Sequence, residues 1–245
     1  MSEVEGDSPV KPGTLYLVAT PIGNLRDITL RAIDVLKAVD VVACEDTRHS
    51  SRLFQRLEIS TSKISLHQHN EAARSDEIVA RLAKSEAVAV ISDAGMPLVS
   101  DPGHRLLRRC LEAGHAVEVV PGPSAVMTAV AGSGLPAERF YFGGFLPVKK
   151  GQREKALRGA LEREVTSVFF ESPHRLDGTL EMLAGIESDR LVCVARELTK
   201  IHETFHRGKV EEVAAHFAAR PPKGEITLVI AGTELPKYVH RNDSA

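Results

Sequence analysis

The sequence of 245 residues contains no tryptophan, 4% aromatic residues and only three cysteines. The cysteines lie far apart and form no C-x-x-C pair, which excludes a disulfide framework and a cysteine zinc site. This usage is typical of a reducing compartment, so we expect a cytoplasmic protein. The few aromatic residues are unevenly placed, because only Tyr16 and Phe54 precede Phe140. This asymmetry predicts two halves of different construction.

The chain also lacks an excess of charge of one sign and a long apolar run. Lysine and arginine number 31 against 33 acidic residues, a formal net charge of −2, which excludes a polybasic chain. No apolar run approaches the roughly 18 residues that a membrane span requires, so we expect no membrane segment. Residues 1–13 lack the pattern of a signal peptide and are predicted to be a disordered, solvated tail. Residues 234–245 are predicted to be a second tail.

Short apolar runs alternate with amphipathic stretches along the rest of the chain. Such runs, bounded by turn residues, are typical of strands buried on both faces, and their alternation with helices predicts mainly parallel sheets covered by helices. We therefore predict two α/β domains, at residues 14–121 and 122–233. The predicted strands are 15–18, 41–44, 87–91, 117–120, 167–170, 191–195 and 226–231. The predicted helices are 29–39, 71–84, 105–113, 175–183 and 211–218.

The loops that follow three of the strands in the first domain are rich in proline and glycine. They are residues 19–25, 92–103 and 120–125. Ligands of open parallel sheets bind beyond the carboxyl ends of the strands, where such loops meet helix N-termini. Three loops of this kind on one sheet edge predict a ligand site there.

Two motif matches indicate other functions, and their context argues against both. His202 and His206 form an H-E-x-x-H sequence, which binds zinc only on a helix. Thr204 and Phe205 favour a strand instead, on which the two histidines would lie about 13 Å apart, so we predict no metal site. The Gly132–Ala137 segment matches a dinucleotide fingerprint, but it follows a helical pattern and contains a proline that would interrupt the required helix.

At the loops the sequence resembles a known family. The segments that carry the resemblance are 15–29, 44–48, 69–71, 92–97, 121–125, 171–175 and 196–200. They are similar, in consistent order from about Thr14 to Gly232, to the tetrapyrrole methylase superfamily, and within it to the bacterial methyltransferases of a cytidine 2′-hydroxyl in 16S ribosomal RNA. Met96 departs from the threonine of many relatives. Many relatives continue beyond the position of Gly232 into a helical C-terminal segment, so we expect any RNA contact made there to be absent or supplied differently.

The resemblance implies a function and a set of site residues. It implies S-adenosylmethionine bound in a cleft between two α/β domains, methyl transfer to a ribose in the decoding region of the small ribosomal subunit, and a homodimer. The cofactor residues it implies are Pro21, Ile22, Gly23, Asp93, Gly95, Val99, Ser124 and Ala125, with Ala195 and Ile226 by weaker analogy. Glycine at such positions lets the backbone approach a zwitterionic ligand closely.

The reaction requires a group to take the proton of the ribose hydroxyl and a surface to hold RNA. The candidate bases at predicted strand ends are Glu45, Asp46, Glu71, Glu171, Glu197 and Lys200. We favour Glu45 or Asp46, because the preceding apolar strand aims them at the cleft. For RNA, Arg48, Arg52 and Arg56 are spaced to form one helix face. A second basic segment holds Lys149, Lys150, Arg153, Lys155 and Arg158.

Two alternatives remain open from the sequence. One is a tetrapyrrole (precorrin) methylase that uses the same cofactor, disfavoured because the segments 45–48 and 171–175 match the RNA branch. The other is a non-catalytic RNA-binding module, against which the intact cofactor loops count.

Overall fold

The computed structural model describes residues 8–234, and the chain divides into two compact units. The first unit ends at Ser124 and the second begins at Ala125. Most of the predicted tails, residues 1–7 and 235–245, lies outside the described residues.

The first unit alternates strands and helices, as the apolar runs predict. A short 3₁₀ turn at Leu25–Asp27 precedes the first helix. The elements in chain order are β1 (Thr14–Val18), α1 (Leu30–Ala38), β2 (Val41–Cys44), α2 (Thr47–Arg56), β3 (Lys63–Ser65), α3 (Glu71–Ala83), β4 (Val88–Ile91), α4 (His104–Glu112) and β5 (Ala116–Val120).

The five strands of the first unit form one parallel sheet in the order β3-β2-β4-β1-β5. Alternate side chains of the central strands β1, β2 and β4 enter cores on opposite faces. In β2, for example, Val42 and Cys44 pack against α1 and α2, whereas Val41 and Ala43 pack on the side of α3 and α4. The prediction of a parallel sheet covered by helices on both faces is confirmed for this unit.

Part of the segment predicted as a solvated tail contacts this sheet. The backbone N–H of Lys11 donates to the hydroxyl of Tyr16 at 2.7 Å, and its ammonium lies 2.6 Å from Glu118. Val10 packs against the core formed with α1 and α2. Residues 8–13 are therefore ordered, because an apolar side chain and the Tyr16 hydroxyl both find partners here.

The second unit has five strands and four helices within the described range. Its elements are α5 (Ala125–Ser133), β6 (Phe140–Phe145), α6 (Lys150–Glu162), β7 (Thr166–Glu171), α7 (Leu176–Ile186), β8 (Leu191–Arg196), β9 (Thr204–Lys209), α8 (Val210–Ala219) and β10 (Ile226–Ile230).

The second sheet is mixed, and here the prediction of a mainly parallel sheet is wrong. Its order is β6-β7-β10-β8-β9, and only β6 and β7 run parallel. The other neighbouring pairs are antiparallel. Helices α6, α7 and α8 cover one face, while α5 packs against β8 and β10. Central strands buried on both faces show continuous apolar runs whichever direction they take, so the pattern did not reveal the direction.

The three cysteines and the longest apolar helices can be compared with the expectations from composition. The cysteines Cys44, Cys110 and Cys193 are buried free thiols, and burial raises the pKa of Cys110 and Cys193 to about 11. Among residues 8–234, no helix is both long and apolar enough to cross a membrane.

Candidate cofactor site and RNA-facing residues

The carboxyl ends of the parallel strands meet at one edge of the first sheet, and the chain changes direction there. Strands β1 and β4 are neighbours, but β1 leads to α1 on one face and β4 leads to α4 on the other. Two adjacent strands whose connections leave to opposite faces create a crevice at the sheet edge, which is the usual ligand position in open α/β sheets. The loops 19–25 and 92–103 form its two sides.

A backbone bridge joins these two loops directly after their strands. Thr20 and Gly95 exchange two hydrogen bonds, with N···O distances of 2.9 and 3.0 Å. The Thr20 hydroxyl donates to the carbonyl of Ser92 at 3.1 Å, and the Ser92 hydroxyl in turn lies 3.2 Å from the carbonyl of Ala94. The bridge fixes the separation of the loops, so the crevice is formed before any ligand binds.

Two glycines allow the loops to approach each other this closely. Gly95 has a φ of +80°, and a Cβ there would lie 3.3 Å from Cγ2 of Ile22. A Cβ on Gly122 would lie 2.9 Å from that of Ala19, closer than real side chains come. The N–H of Ala19 also donates to the carbonyl of Val120 at 3.1 Å. The loop after β5 is therefore held against the loop after β1.

The structure brings most of the predicted cofactor residues of the first unit to these loops. Ile22 and Gly95 are buried in the contact between loops, whereas Gly23 and Val99 are exposed. The predicted residues on the three loops are Pro21, Ile22, Gly23, Asp93, Gly95, Val99 and Ser124.

The remaining predicted cofactor residues belong to the second unit. Ala125 is the first residue of α5. Ala195 in β8 and Ile226 in β10 are 0% and 4% exposed, respectively. Since these two side chains offer almost no surface, their role stays a prediction drawn from the resemblance.

The acidic residues at the crevice differ in their surroundings. Asp46 caps α2, accepting a hydrogen bond from the N–H of Arg48 at 2.8 Å, and this bond lowers the pKa of its carboxyl. A carboxylate held in this way is a weak base. Asp93 lies 3.4 Å from the N–H of Asp46, which connects the loops after β2 and β4. Glu45 is exposed and has no hydrogen bond or ion pair with any residue between 8 and 234.

Asp101, in the loop 92–103 after β4, is an acidic residue that the sequence analysis did not select as a candidate base. Burial, together with the neighbouring charges of Glu45 and Asp93, raises the pKa of its carboxyl to about 6, although a hydrogen bond with Ser92 acts in the opposite direction. Three carboxyl groups from the loops after β2 and β4 thus repel one another at this edge. The sequence indicated this group of acids only through Asp93 and Asp101, the two acidic residues of the loop after β4.

The other candidate bases have structural partners. The Glu71 carboxylate accepts hydrogen bonds from the N–H groups of Gly103 and Arg105, both at 3.0 Å, and so caps α4. Glu197 lies 2.8 Å from the ammonium of Lys200, which lowers the pKa of Glu197, and Lys200 also contacts Glu225 at 3.1 Å. These hydrogen bonds and ion pairs give Glu71, Glu197 and Lys200 structural roles, so no catalytic role is needed to account for them.

Glu171 forms a buried cluster at the end of β7. Its side chain is fully buried and contacts the guanidinium of Arg175 at 2.6 Å. It also accepts hydrogen bonds from the hydroxyl of Thr179 at 2.7 Å and from the N–H of Ser172 at 2.6 Å. The cluster fixes the loop 172–175 to α7, which is a structural task.

The predicted basic face lies on α2. Arg48, Arg52 and Arg56 follow one another at a rise of about 6 Å along the helix axis. All three are exposed, and Arg48 makes a loose ion pair of 3.7 Å with Asp46. Arg52 and Arg56 have no ion pair within the described range, so their charges are available to a phosphate backbone.

The second basic segment divides into two parts. Lys149 and Lys150, at the start of α6, are exposed and form no ion pair with the described residues. Arg158 instead pairs with Glu154 at 2.8 Å on the same helix. Lys155, further along α6, is also exposed and forms no ion pair within the described range, and Arg153 is half-buried. Of this segment only Arg158 is neutralised by a neighbouring carboxylate.

The H-E-x-x-H segment is not helical, and its residues from Thr204 onwards lie in a strand, as Thr204 and Phe205 predict. His206 lies within β9, while His202 belongs to the turn before it. His206 packs instead against His216 and Phe217 of α8, with ring centroids 4.3 and 4.9 Å away. Among the described residues, no group of three or more His, Cys, Asp or Glu side chains is arranged to hold a metal ion.

Known proteins share this arrangement of sequence and fold. The family model described as Tetrapyrrole (Corrin/Porphyrin) Methylases matches residues 14–214. The chain belongs to this family. Among solved tetrapyrrole methylases, uroporphyrin-III-C-methyltransferase from Thermus thermophilus superposes with a TM-score of 0.63 at 23% identity, covering 89% of this chain and 94% of that one. This likeness confirms the predicted fold.

Curated relatives of higher identity carry one name, Ribosomal RNA small subunit methyltransferase I. The relative from Synechocystis is 46% identical over 234 residues, which cover 94% of this chain and 84% of the relative. The relative from Thermotoga maritima is 46% identical over 222 residues, 91% of this chain and 100% of the relative. The resemblance to the ribosomal RNA branch of the tetrapyrrole methylases is therefore confirmed.

Proposed function

We propose that this protein transfers the methyl group of S-adenosylmethionine to the ribose 2′-hydroxyl of a cytidine in 16S ribosomal RNA of the small ribosomal subunit. The observation that carries the proposal is the bridged crevice at the carboxyl edge of the first sheet, in a chain 46% identical to proteins named for small-subunit RNA methylation. We further propose that it acts in the cytoplasm as a homodimer.

The loops of the first unit fit S-adenosylmethionine. The ligand is zwitterionic at its methionine end, and the crevice offers backbone groups of loops that the close contact between Gly95 and Ile22 holds together. Pro21, Ile22 and Gly23 would line one side, with Asp93 and Val99 on the other. Bound there, the cofactor would supply an electrophilic methyl group.

The protein's own contribution to the rate is mainly positioning. An in-line displacement needs the attacking oxygen, methyl carbon and sulfur in line at near-attack distance, and rigid loops supply that alignment. The bridge between Thr20 and Gly95 provides this rigidity.

A carboxylate at the crevice would accept the hydroxyl proton. Glu45 is exposed and makes no hydrogen bond with the described residues, whereas Asp46 is occupied as a helix cap. Asp101 is the second candidate, because a base is most efficient when its pKa lies near the working pH. We therefore propose Glu45 as the proton acceptor. Asp101, whose carboxyl interacts electrostatically with that of Glu45, would carry part of the negative charge at the crevice.

The arginines of α2 would bind the phosphate backbone. They begin directly after Glu45 and Asp46, so RNA held along α2 would present a ribose at the sheet edge. Lys149 and Lys150 would make further phosphate contacts in the second unit. Such binding depends on salt, because each phosphate contact releases counterions.

A methyl-transfer assay tests the proposal. Purified protein is incubated with labelled S-adenosylmethionine and, in separate reactions, with naked 16S RNA, assembled small subunits and uroporphyrinogen III. We expect label in RNA, recovered as 2′-O-methylcytidine by nucleoside mass spectrometry. Label in the tetrapyrrole alone would establish the precorrin-type alternative, and failure to bind S-adenosylmethionine in calorimetry would establish a non-catalytic module. Light scattering measures the oligomeric state.

A further inference from the structure

An exposed aromatic side chain ends the edge strand of the second sheet. Phe145, the last residue of β6, is 62% exposed. The centroid of its ring lies 5.2 Å from that of Phe170, and the Phe170 centroid lies 5.1 Å from that of Phe142. The three rings form a continuous aromatic surface, with Phe145 as its outermost member.

A bulge in β6 places Phe145 on this surface. Phe142 is opposite Val168 and Phe145 is opposite Phe170, so β6 uses one residue more than β7 over the same length. In a regular strand, residues 142 and 145 would point to opposite faces, and the extra residue brings them to the same face. Gly144 has a φ of +67°, a conformation that an ordinary residue adopts only at a cost.

Neighbouring contacts hold the exposed ring in place. Leu146, next in the chain, is buried in the core of the second unit, and its N–H donates to the carbonyl of Phe170 at 3.0 Å. A Cβ on Gly143 would lie 2.2 Å from the ring of Phe169, so the strand fits its neighbour only with glycine there. Phe145 is thus a ring on a rigid support, and its exposure follows from the backbone.

Cations lie beside the aromatic surface. Lys149 follows Phe145 by four residues, so their Cα atoms lie at most about 14 Å apart. Lys149 and Lys150 are exposed and unpaired within the described range, and Val148 between them and Phe145 is 76% exposed. An exposed ring beside unpaired lysines is the combination that single-stranded nucleic acids contact, with bases on the ring and phosphates on the cations.

We propose that Phe145 is a stacking platform for an unpaired nucleobase of the RNA substrate, with Lys149 and Lys150 contacting the adjoining phosphates. This inference rests on the proposed function. RNA is favoured over a second copy of the chain, because phosphate groups supply the negative charge that the two lysines beside the ring lack among the described residues. The ring accepts any base, so it contributes affinity and orientation without selecting the sequence.

Fluorescence anisotropy tests the proposal with a labelled single-stranded RNA oligonucleotide of the 16S decoding region. We expect Phe145→Ala to weaken binding about 5- to 150-fold, the equivalent of about 1–3 kcal/mol for one stacked base. Phe145→Leu, which is apolar but has no ring, should lose nearly as much, and Phe145→Tyr should bind like the unaltered protein. Leu111→Ala is the matched control, because Leu111 of α4 is 57% exposed and belongs to the other unit.

Cofactor calorimetry, light scattering and methyl transfer on the same variants separate the possible outcomes. Unchanged S-adenosylmethionine affinity and an unchanged oligomeric state, together with weaker RNA binding, support the proposal. If Phe145→Leu binds RNA normally, or if Phe145→Ala changes the oligomeric state instead, the platform is refuted while methylation of RNA by the unaltered protein still stands. If the unaltered protein methylates no RNA, the proposed function fails and this inference fails with it.

Discussion

Replacing Asp101 by asparagine tests the charge arrangement at the crevice. The carboxyl of Asp101 is half-buried, and burial, with Glu45 and Asp93 nearby, raises its pKa from 3.8 to about 6. Its charged form is therefore less favourable in the folded protein than in the unfolded chain. Asparagine keeps the size and the capacity to hydrogen-bond with Ser92, but it carries no charge at any pH.

The sign and size of the effect follow from the two pKa values. Below about pH 3 the carboxyl is mainly protonated in both states and its contribution to the fold is fully present; the contribution is lost as the pH rises through about 6. A rise from 3.8 to about 6 corresponds to about 3 kcal/mol at higher pH. Because water reaches a half-buried group, screening reduces the expected destabilisation to about 1 kcal/mol.

Urea unfolding at about pH 8 and about pH 4 measures this difference. We expect Asp101→Asn to raise the free energy of unfolding by about 1 kcal/mol at the higher pH and by only about 0.2 kcal/mol at the lower pH, where the carboxyl of the unfolded chain is only partly ionised. Asp34→Asn, at an exposed position of α1, is the control and should change stability by less than about 0.5 kcal/mol at both. A gain that is absent at about pH 8, or equal at both pH values, would refute the reasoning.

Three further predictions concern the buried cluster, the loop contact and the RNA surface. Glu171→Ala should lower the free energy of unfolding by about 3 kcal/mol in urea, because it leaves Arg175 without its buried partner; a loss below about 1 kcal/mol would contradict this. Gly95→Ala should weaken S-adenosylmethionine binding in calorimetry, whereas Gly178→Ala in α7, where a Cβ meets nothing within 4 Å, should leave it intact; equal affinities would contradict the loop contact. Arg52→Gln should reduce the slope of log affinity for RNA against log salt by about 0.7, and an unchanged slope would exclude a phosphate contact.

The first unit could be predicted from sequence because its physics is local. Each parallel strand is a short apolar run ended by turn residues, and β2 at Val41–Cys44 has the predicted bounds. The loops after β1 and β4 were predicted to meet, since the carboxyl ends of parallel strands share an edge. The two loops are joined by hydrogen bonds between Thr20 and Gly95, and no local sequence pattern specifies these bonds.

The second unit was harder to predict because its strand pairing is set by distant parts of the chain. Strand β10 lies between β7 and β8, and the apolar run of β10 carries no sign of its antiparallel partners. Strand β6 was missed because Gly143 and Gly144 interrupt its alternation. Those same glycines form the bulge that exposes Phe145.

The candidate acids show the same limit on a smaller scale. Their positions at strand ends could be read from the sequence, but their partners could not. Glu71 caps a helix that begins more than 30 residues later, and Glu171 pairs within a buried cluster. Asp101 acquires its raised pKa from burial and from acids of other loop positions. Titration behaviour depends on these tertiary neighbours.

The most direct test of the central claim is nucleoside mass spectrometry of 16S RNA after incubation of small subunits with the purified protein and S-adenosylmethionine. The account predicts that 2′-O-methylcytidine appears, and that Gly95→Ala reduces its yield. RNA that gains no methyl group, from protein shown by calorimetry to bind the cofactor, would contradict it.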